Sequence, residues 1–190
     1  MMNFENNINL ETLEKMSKAT HIILDSKIRY SPKITNDYFF LYQFFVEQFK
    51  FNPHSLYDDD NGVILILPKN KYIALSDKFR VKKELIQKGI RKKIFYYPVV
   101  DTLRELISYL FWHIRIINIV LNLTSRKDGG KLKSSPLIEI YIYIHESQMK
   151  YALGKNGNYI HMVNAFLEDC IGSYRIYLRG TYDKNYILEI

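Results

Sequence analysis

Leu137-Ile-Glu-Ile-Tyr-Ile-Tyr-Ile-His-Glu-Ser-Gln-Met-Lys-Tyr-Ala-Leu-Gly-Lys-Asn-Gly-Asn158 decides how this chain is read. Ile138, Ile140, Ile142 and Ile144 alternate with Glu139, Tyr141, Tyr143 and His145, the period-two pattern of a half-buried strand. Met149, Ala152 and Leu153 recur at helical spacing, as do Ile160, Val163, Phe166 and Leu167 beyond the glycines. Arg175-Ile-Tyr-Leu-Arg179 returns to alternation. The stretch predicts strand, short helix, Gly-Lys-Asn-Gly corner, helix, strand.

Upstream, Leu103, Leu106, Ile107, Leu110 and Phe111 share one helical face, with Pro98 before it and Asp101 or Thr102 placed to cap it. Ile117, Ile119, Leu121 and Leu123 alternate with Asn118, Val120 and Asn122, predicting a strand. Lys127 to Pro136 is dense in turn residues and joins that strand to the one at 138–144. The predicted order is therefore helix, strand, strand, helix, GxxG, helix, strand. With 8 Gly in 190 residues the GxxG spacing alone arises too easily by chance to carry weight. The order of elements around it is the stronger signal.

A glycine-bounded corner between two helices, framed by strands, is the device by which a KH domain clamps a nucleic-acid backbone. Gly154 and Gly157 lack a Cβ, so a phosphate can approach and positive φ carries no steric penalty. The helix beginning near Asn158 turns its free N–H groups toward that phosphate, and Lys155 and Asn156 add a cation and a polar group. Gly154, Lys155, Asn156, Gly157 and Asn158 are the candidate RNA-binding residues. Lys150, Arg175 and Arg179 are further phosphate candidates whose direction depends on sheet register.

Glu139 to Asn158 resembles the last KH domain of the NusA transcription elongation factor and also the KH domain of the universal small-subunit ribosomal protein 3 family. Asp101, Leu103, Arg104, Glu105 and Ile107 resemble the Leu-Arg-Glu-centred first KH helix of the ribosomal family. The basic segment Lys78 to Lys93 is similar in character to the chain before that helix. The resemblance implies an α+β protein with a type II KH domain (αββααβ, a three-stranded sheet with helices on one face) at 96–182. An N-terminal α/β extension would occupy 1–95 and a tail 183–190. The leading expectation is a structural constituent of the small ribosomal subunit, with rRNA and other small-subunit ribosomal proteins as partners. That family continues into a second α/β domain where this chain stops at Ile190, so either a separate chain supplies it or the match is to a shorter KH protein. The alternative is a regulatory KH-domain RNA-binding factor in transcription or RNA processing, similar to NusA. That resemblance implies an S1-type barrel and a second KH copy, yet no other GxxG occurs.

Lys plus Arg number 27 against 20 Asp plus Glu, a net charge of +7 that suits a polyanionic partner. The excess concentrates in Lys78–Lys93, where Lys82, Lys83, Arg91, Lys92 and Lys93 are the candidate phosphate contacts. One cysteine, Cys170, excludes an intramolecular disulfide and a cysteine-cluster zinc site. His21, His54, His113, His145 and His161 show no metal spacing, and neither a Walker loop nor a GxSxG elbow is present. The expectation is a protein that is not an enzyme and takes no metal or cofactor. His161, just beyond the GxxG, is placed to touch RNA. Apolar runs are too short or too interrupted for a membrane span. Met1 to Lys15 has neither a secretory apolar region nor the Arg-rich character of an import presequence. Abundant Tyr, Phe, Ile, Asn and Lys are what AT-rich codons encode. Together these suggest an organelle-encoded protein of the mitochondrial matrix ribosome, with the cytoplasm of an AT-rich bacterium as the alternative.

In the N-terminal half, Asn9 to Ala19 predicts a helix, and Tyr38, Phe39, Leu41, Tyr42, Phe45, Val46 and Phe49 a helix with an aromatic stripe destined for a core. Val63-Ile-Leu-Ile-Leu67 predicts a buried strand between the turn Asp58-Asp-Asp-Asn-Gly62 and Pro68. The three aspartates lack EF-hand spacing and read as a solvated turn.

Overall fold

The computed structural model describes residues 19–74, 77–124, 127–128, 131–132 and 136–182. The predicted helix at 9–19 and the tail at 183–190 lie outside them, apart from Ala19. A helical segment at 19–24 leads into α1 (Asn36–Phe49), β1 (Ser55–Asp59), β2 (Gly62–Leu67), α2 (Lys69–Ile73), α3 (Asp77–Ile90) and β3 (Ile94–Pro98). There follow α4 (Leu103–Leu110), β4 (Ile116–Thr124), the two-residue β5 (Lys127–Asp128) and β6 (Lys131–Leu132), and β7 (Leu137–His145). The chain continues through α5 (Met149–Leu153), α6 (Asn158–Cys170) and β8 (Tyr174–Thr181). The protein is α+β, and the predicted helix-strand-strand-helix-helix-strand order is present from Leu103 to Thr181.

The same order occurs twice. In the first sheet β2 is central, antiparallel to β1 and parallel to β3; in the second β7 is central, antiparallel to β4 and parallel to β8. Residues 36–98 thus repeat the topology of residues 103–181: helix, antiparallel strand pair, two helices, parallel return strand. The expected α/β extension contains a full second unit, and its last strand, β3, runs across position 95 to Pro98.

Side-chain alternation explains how the units stack. Val63, Leu65 and Leu67 of β2 pack with Phe45 of α1 and Ile86 of α3, whereas Ile64 and Ile66 face the other way. Those two join Leu103, Leu106 and Leu110 of α4 and Met162, Val163 and Phe166 of α6. The same helices cover Ile140, Ile142 and Ile144 of β7 and Ile176 of β8. The order of layers is first-unit helices, first sheet, second-unit helices, second sheet. Buried on both faces, β2 has no polar position, which is why its sequence runs apolar without alternation.

The contact between units is specific. Tyr97 of β3 donates its hydroxyl to Tyr159 of α6 at 2.8 Å, and Tyr159 donates to the carbonyl of Leu110. Burial pushes the Tyr159 phenol up to about 12, so both rings stay neutral hydrogen-bonding groups. Tyr159→Phe is expected to lower stability by about 1–2 kcal/mol, because the Tyr97 hydroxyl and the Leu110 carbonyl both lose a buried partner. Urea unfolding checks this; an unchanged midpoint would contradict it.

Two expectations need correction. Leu123 is 61% exposed although the alternation placed it with Ile119 and Leu121; β4 is irregular between Ile116 and Asn118, and Asn122 and Leu123 near its end are both exposed. The aromatic stripe of α1 is divided: Phe45 is fully buried, whereas Phe39 is 55% exposed. Seven large side chains on one short helix span more than the face that the first sheet covers. The turn at 58–62 is as read. The Asp59 carboxylate accepts from the backbone N–H of Asn61 and Gly62 at 2.7 and 3.1 Å, an Asx turn closing the β1–β2 hairpin.

Candidate nucleic-acid interface

The GxxG residues form an open corner between α5 and α6. Gly154 ends α5 at φ 75°, ψ 179°, a region essentially reserved for glycine. A Cβ there would lie 2.6 Å from the Tyr159 Cβ, so this glycine lets α6 pack directly against the end of α5. Lys155 to Gly157 make one tight turn, with Asn156 left-handed at φ 55°, which asparagine tolerates. Gly157, at φ 75° and ψ 4°, is also left-handed, but a Cβ there would meet only the His161 ring, at 3.6 Å. The first glycine is required by packing; the second leaves space.

That space faces a positive helix end. α6 starts at Asn158 with no side-chain cap and no acidic residue in its first turn. The Asn158 N–H bonds the Lys155 carbonyl within the corner, and at the helix start beyond it the helix dipole favours an anion. Lys155, Asn156, Asn158 and His161 are exposed around it. The arrangement can hold a phosphate by backbone N–H groups and one mobile ammonium.

The other candidate cations divide into two groups. Lys150 is exposed on α5, one turn before the corner. Arg175 ion-pairs with Glu168 at 3.6 Å, ten residues along α6 from Asn158 and so about 15 Å from the corner. Arg179 lies on the outer face of the second sheet, its guanidinium 5.3 Å from the Tyr141 ring centroid. Arg91 is exposed at the left-handed end of α3, Lys82 is half-buried on that helix, and Lys92 bonds Asp58 at 2.8 and 3.0 Å. Lys83 and Lys93 are different. They line a cleft of about 400 Å³ between the two units, and Gly154 is in the lining of the same cleft. Lys83 sits 4.8 Å from the Tyr96 centroid, and burial holds its ammonium below the usual lysine range.

The cleft also holds residues that sequence reasoning passed over, Tyr72, Trp112 and Tyr151, together with His113, which was weighed only as a metal ligand. Trp112 was the one with a legible signal, since it falls off the apolar face of α4 and is 75% exposed. Among the described residues no cluster of His, Cys, Asp and Glu is arranged to hold a metal ion. No helix among them is long and apolar enough to cross a membrane. Cys170 is buried, and burial pushes its thiol up to about 12, which leaves it unreactive at neutral pH.

No family model matches the chain, and no curated protein matches it. Among solved structures, the crystal structure of APE1850 is similar over 77% of this chain and 100% of its own, with a TM-score of 0.55 and 18% sequence identity. That likeness concerns the shared α+β fold alone.

Proposed function

We propose that this chain is a KH-type RNA-binding protein that holds single-stranded RNA at the Gly154–Gly157 corner. The observation that carries the proposal is the pairing of an uncapped, acid-free helix start with a glycine whose missing side chain leaves room for a phosphate. The αββααβ topology and the resemblance of Glu139–Asn158 to KH domains support it. Binding through phosphates should be salt-dependent and largely indifferent to sequence, because backbone contacts carry no base information.

The repeated topology favours the regulatory reading, a factor in transcription or RNA processing similar to NusA. That resemblance requires a second KH copy, and residues 36–98 have the element order and strand pairing of one. In place of the glycines the first unit has Ala74-Leu-Ser76 between α2 and α3, so RNA contact at a GxxG would fall to the second unit alone. The ribosomal reading, with rRNA and small-subunit proteins as partners, draws its support from the Asp101–Ile107 helix. Sedimentation of a native lysate separates the two. A regulatory factor should leave the small subunit in a high-salt wash; retention through that wash would favour the ribosomal role. The basic expectation common to both is measured with an end-labelled oligouridine. Its affinity should fall roughly tenfold or more on raising salt from 50 to 200 mM if three or more phosphates are neutralised. Absence of binding at low salt would refute the proposal.

A further inference from the structure

We infer that the cleft between the two units seats an unpaired nucleotide of the RNA strand whose backbone rests on Gly154–Gly157. This deepens the RNA-binding reading and rests on it.

Four features of the cleft point to that occupant. Its mouth is flanked by large rings held out in solvent: Trp112 is 75% exposed and Tyr151 is 69% exposed. Rings presented in this way offer flat faces to a base, and single-strand binding sites combine such faces with a basic groove. The charged groups of the described lining are Lys83 and Lys93, with His113 beside them and no carboxylate. An acid-free, doubly basic and aromatic lining suits a group that is both planar and anionic, which a nucleotide is and a neutral apolar segment is not.

The third feature is continuity. Gly154 belongs to both the corner and the cleft lining, so the two sites adjoin without intervening chain. The fourth is preorganisation. The floor is fixed by the Tyr97–Tyr159–Leu110 hydrogen-bond chain and by Phe95 packed 5.2 Å from the Tyr159 centroid. A volume of about 400 Å³ lies within the range of small-ligand sites. The cleft needs both units: Lys83 and Lys93 come from the first, Trp112, Tyr151 and Gly154 from the second. This gives the first unit, which lacks a GxxG, a direct part in binding.

Trp112 is the chain's single tryptophan, so its emission reports on the cleft directly. Titration of the full-length protein with a short oligouridine should quench that emission in parallel with the anisotropy rise of the labelled RNA. Trp112→Ala should weaken oligouridine binding about tenfold without moving the unfolding midpoint, because the ring is exposed, and Trp112→Phe should retain most of the affinity. Lys93→Gln should weaken binding and flatten its salt dependence. Uridine monophosphate alone should quench only weakly. Three results would overturn the assignment. If RNA binds with emission unchanged and Trp112→Ala binds like the parent, the cleft is no base site although RNA binding stands. Tight quenching by the monophosphate with none by the oligonucleotide would make it a free-nucleotide site instead. No RNA binding of any kind would remove this inference together with the reading beneath it.

Discussion

Gly157→Asp is expected to weaken single-stranded RNA binding by roughly thirtyfold while leaving the fold in place. The backbone at Gly157 is in the ordinary left-handed region, which aspartate enters at modest cost. The added Cβ meets only the His161 ring at ordinary contact distance. A carboxylate at that point faces the place where the phosphate would rest and also satisfies the helix end that would otherwise attract it. Coulomb repulsion between partly solvated charges a few ångströms apart is on the order of 2 kcal/mol, which sets the fold-change. Gln43→Glu, the same charge change at an exposed position of α1, should leave affinity nearly unaltered. Anisotropy titrations of parent and both variants measure this. Equal affinity in the Gly157 variant would remove the GxxG corner from the binding site.

The neighbouring glycine should behave oppositely. Gly154→Ala is expected to destabilise the protein by about 3 kcal/mol, whatever it does to RNA. Alanine would have to adopt φ 75°, ψ 179°, and its methyl would lie 2.6 Å from the Tyr159 Cβ. Relief requires α6 to move away from α5, and α6 carries Met162, Val163 and Phe166 into the core between the sheets. Denaturant unfolding reads the loss directly. A Gly154→Ala protein as stable as its parent would mean that the corner is not held as described.

The contrast between these two glycines was beyond the reach of the sequence, where both are simply the ends of Gly-Lys-Asn-Gly. Local periodicity did carry the second unit. Ile138 to Ile144 alternate because one face of β7 is covered and the other is not, and α4 and α6 are amphipathic because each has one side turned to solvent. The first unit had weaker local signals. β1, Ser55-Leu-Tyr-Asp-Asp59, alternates poorly, and β3 is short and aromatic, Ile94-Phe-Tyr-Tyr-Pro98, with no alternation of apolar and polar residues. Without a glycine corner between α2 and α3, nothing in the letters marked residues 36–98 as a repeat. Strand pairing, which is non-local, reveals it. The cleft is non-local in the same sense, joining positions 72, 83, 93, 112, 151 and 154 across two units. Its composition is visible only after the units stack.

The stacking also accounts for how charge is distributed. Of the basic run in α3 and its following turn, Lys92 is engaged by Asp58, whereas Lys83 and Lys93 are turned toward the second unit. A run of cations that looked uniform along the chain is thus divided by the fold into one ion-paired lysine and two that line the cleft. Surface ion pairs such as Lys92–Asp58 contribute little to stability, so its effect is mainly to direct the charge.

Ultraviolet crosslinking of the native protein in cells, followed by mass spectrometry of the peptide–nucleotide adducts, tests the central claim most directly. RNA held at the α5–α6 corner predicts adducts on the peptide spanning Lys150 to His161. Adducts confined to other segments, or a native protein that yields none while known RNA binders in the same lysate do, would contradict it.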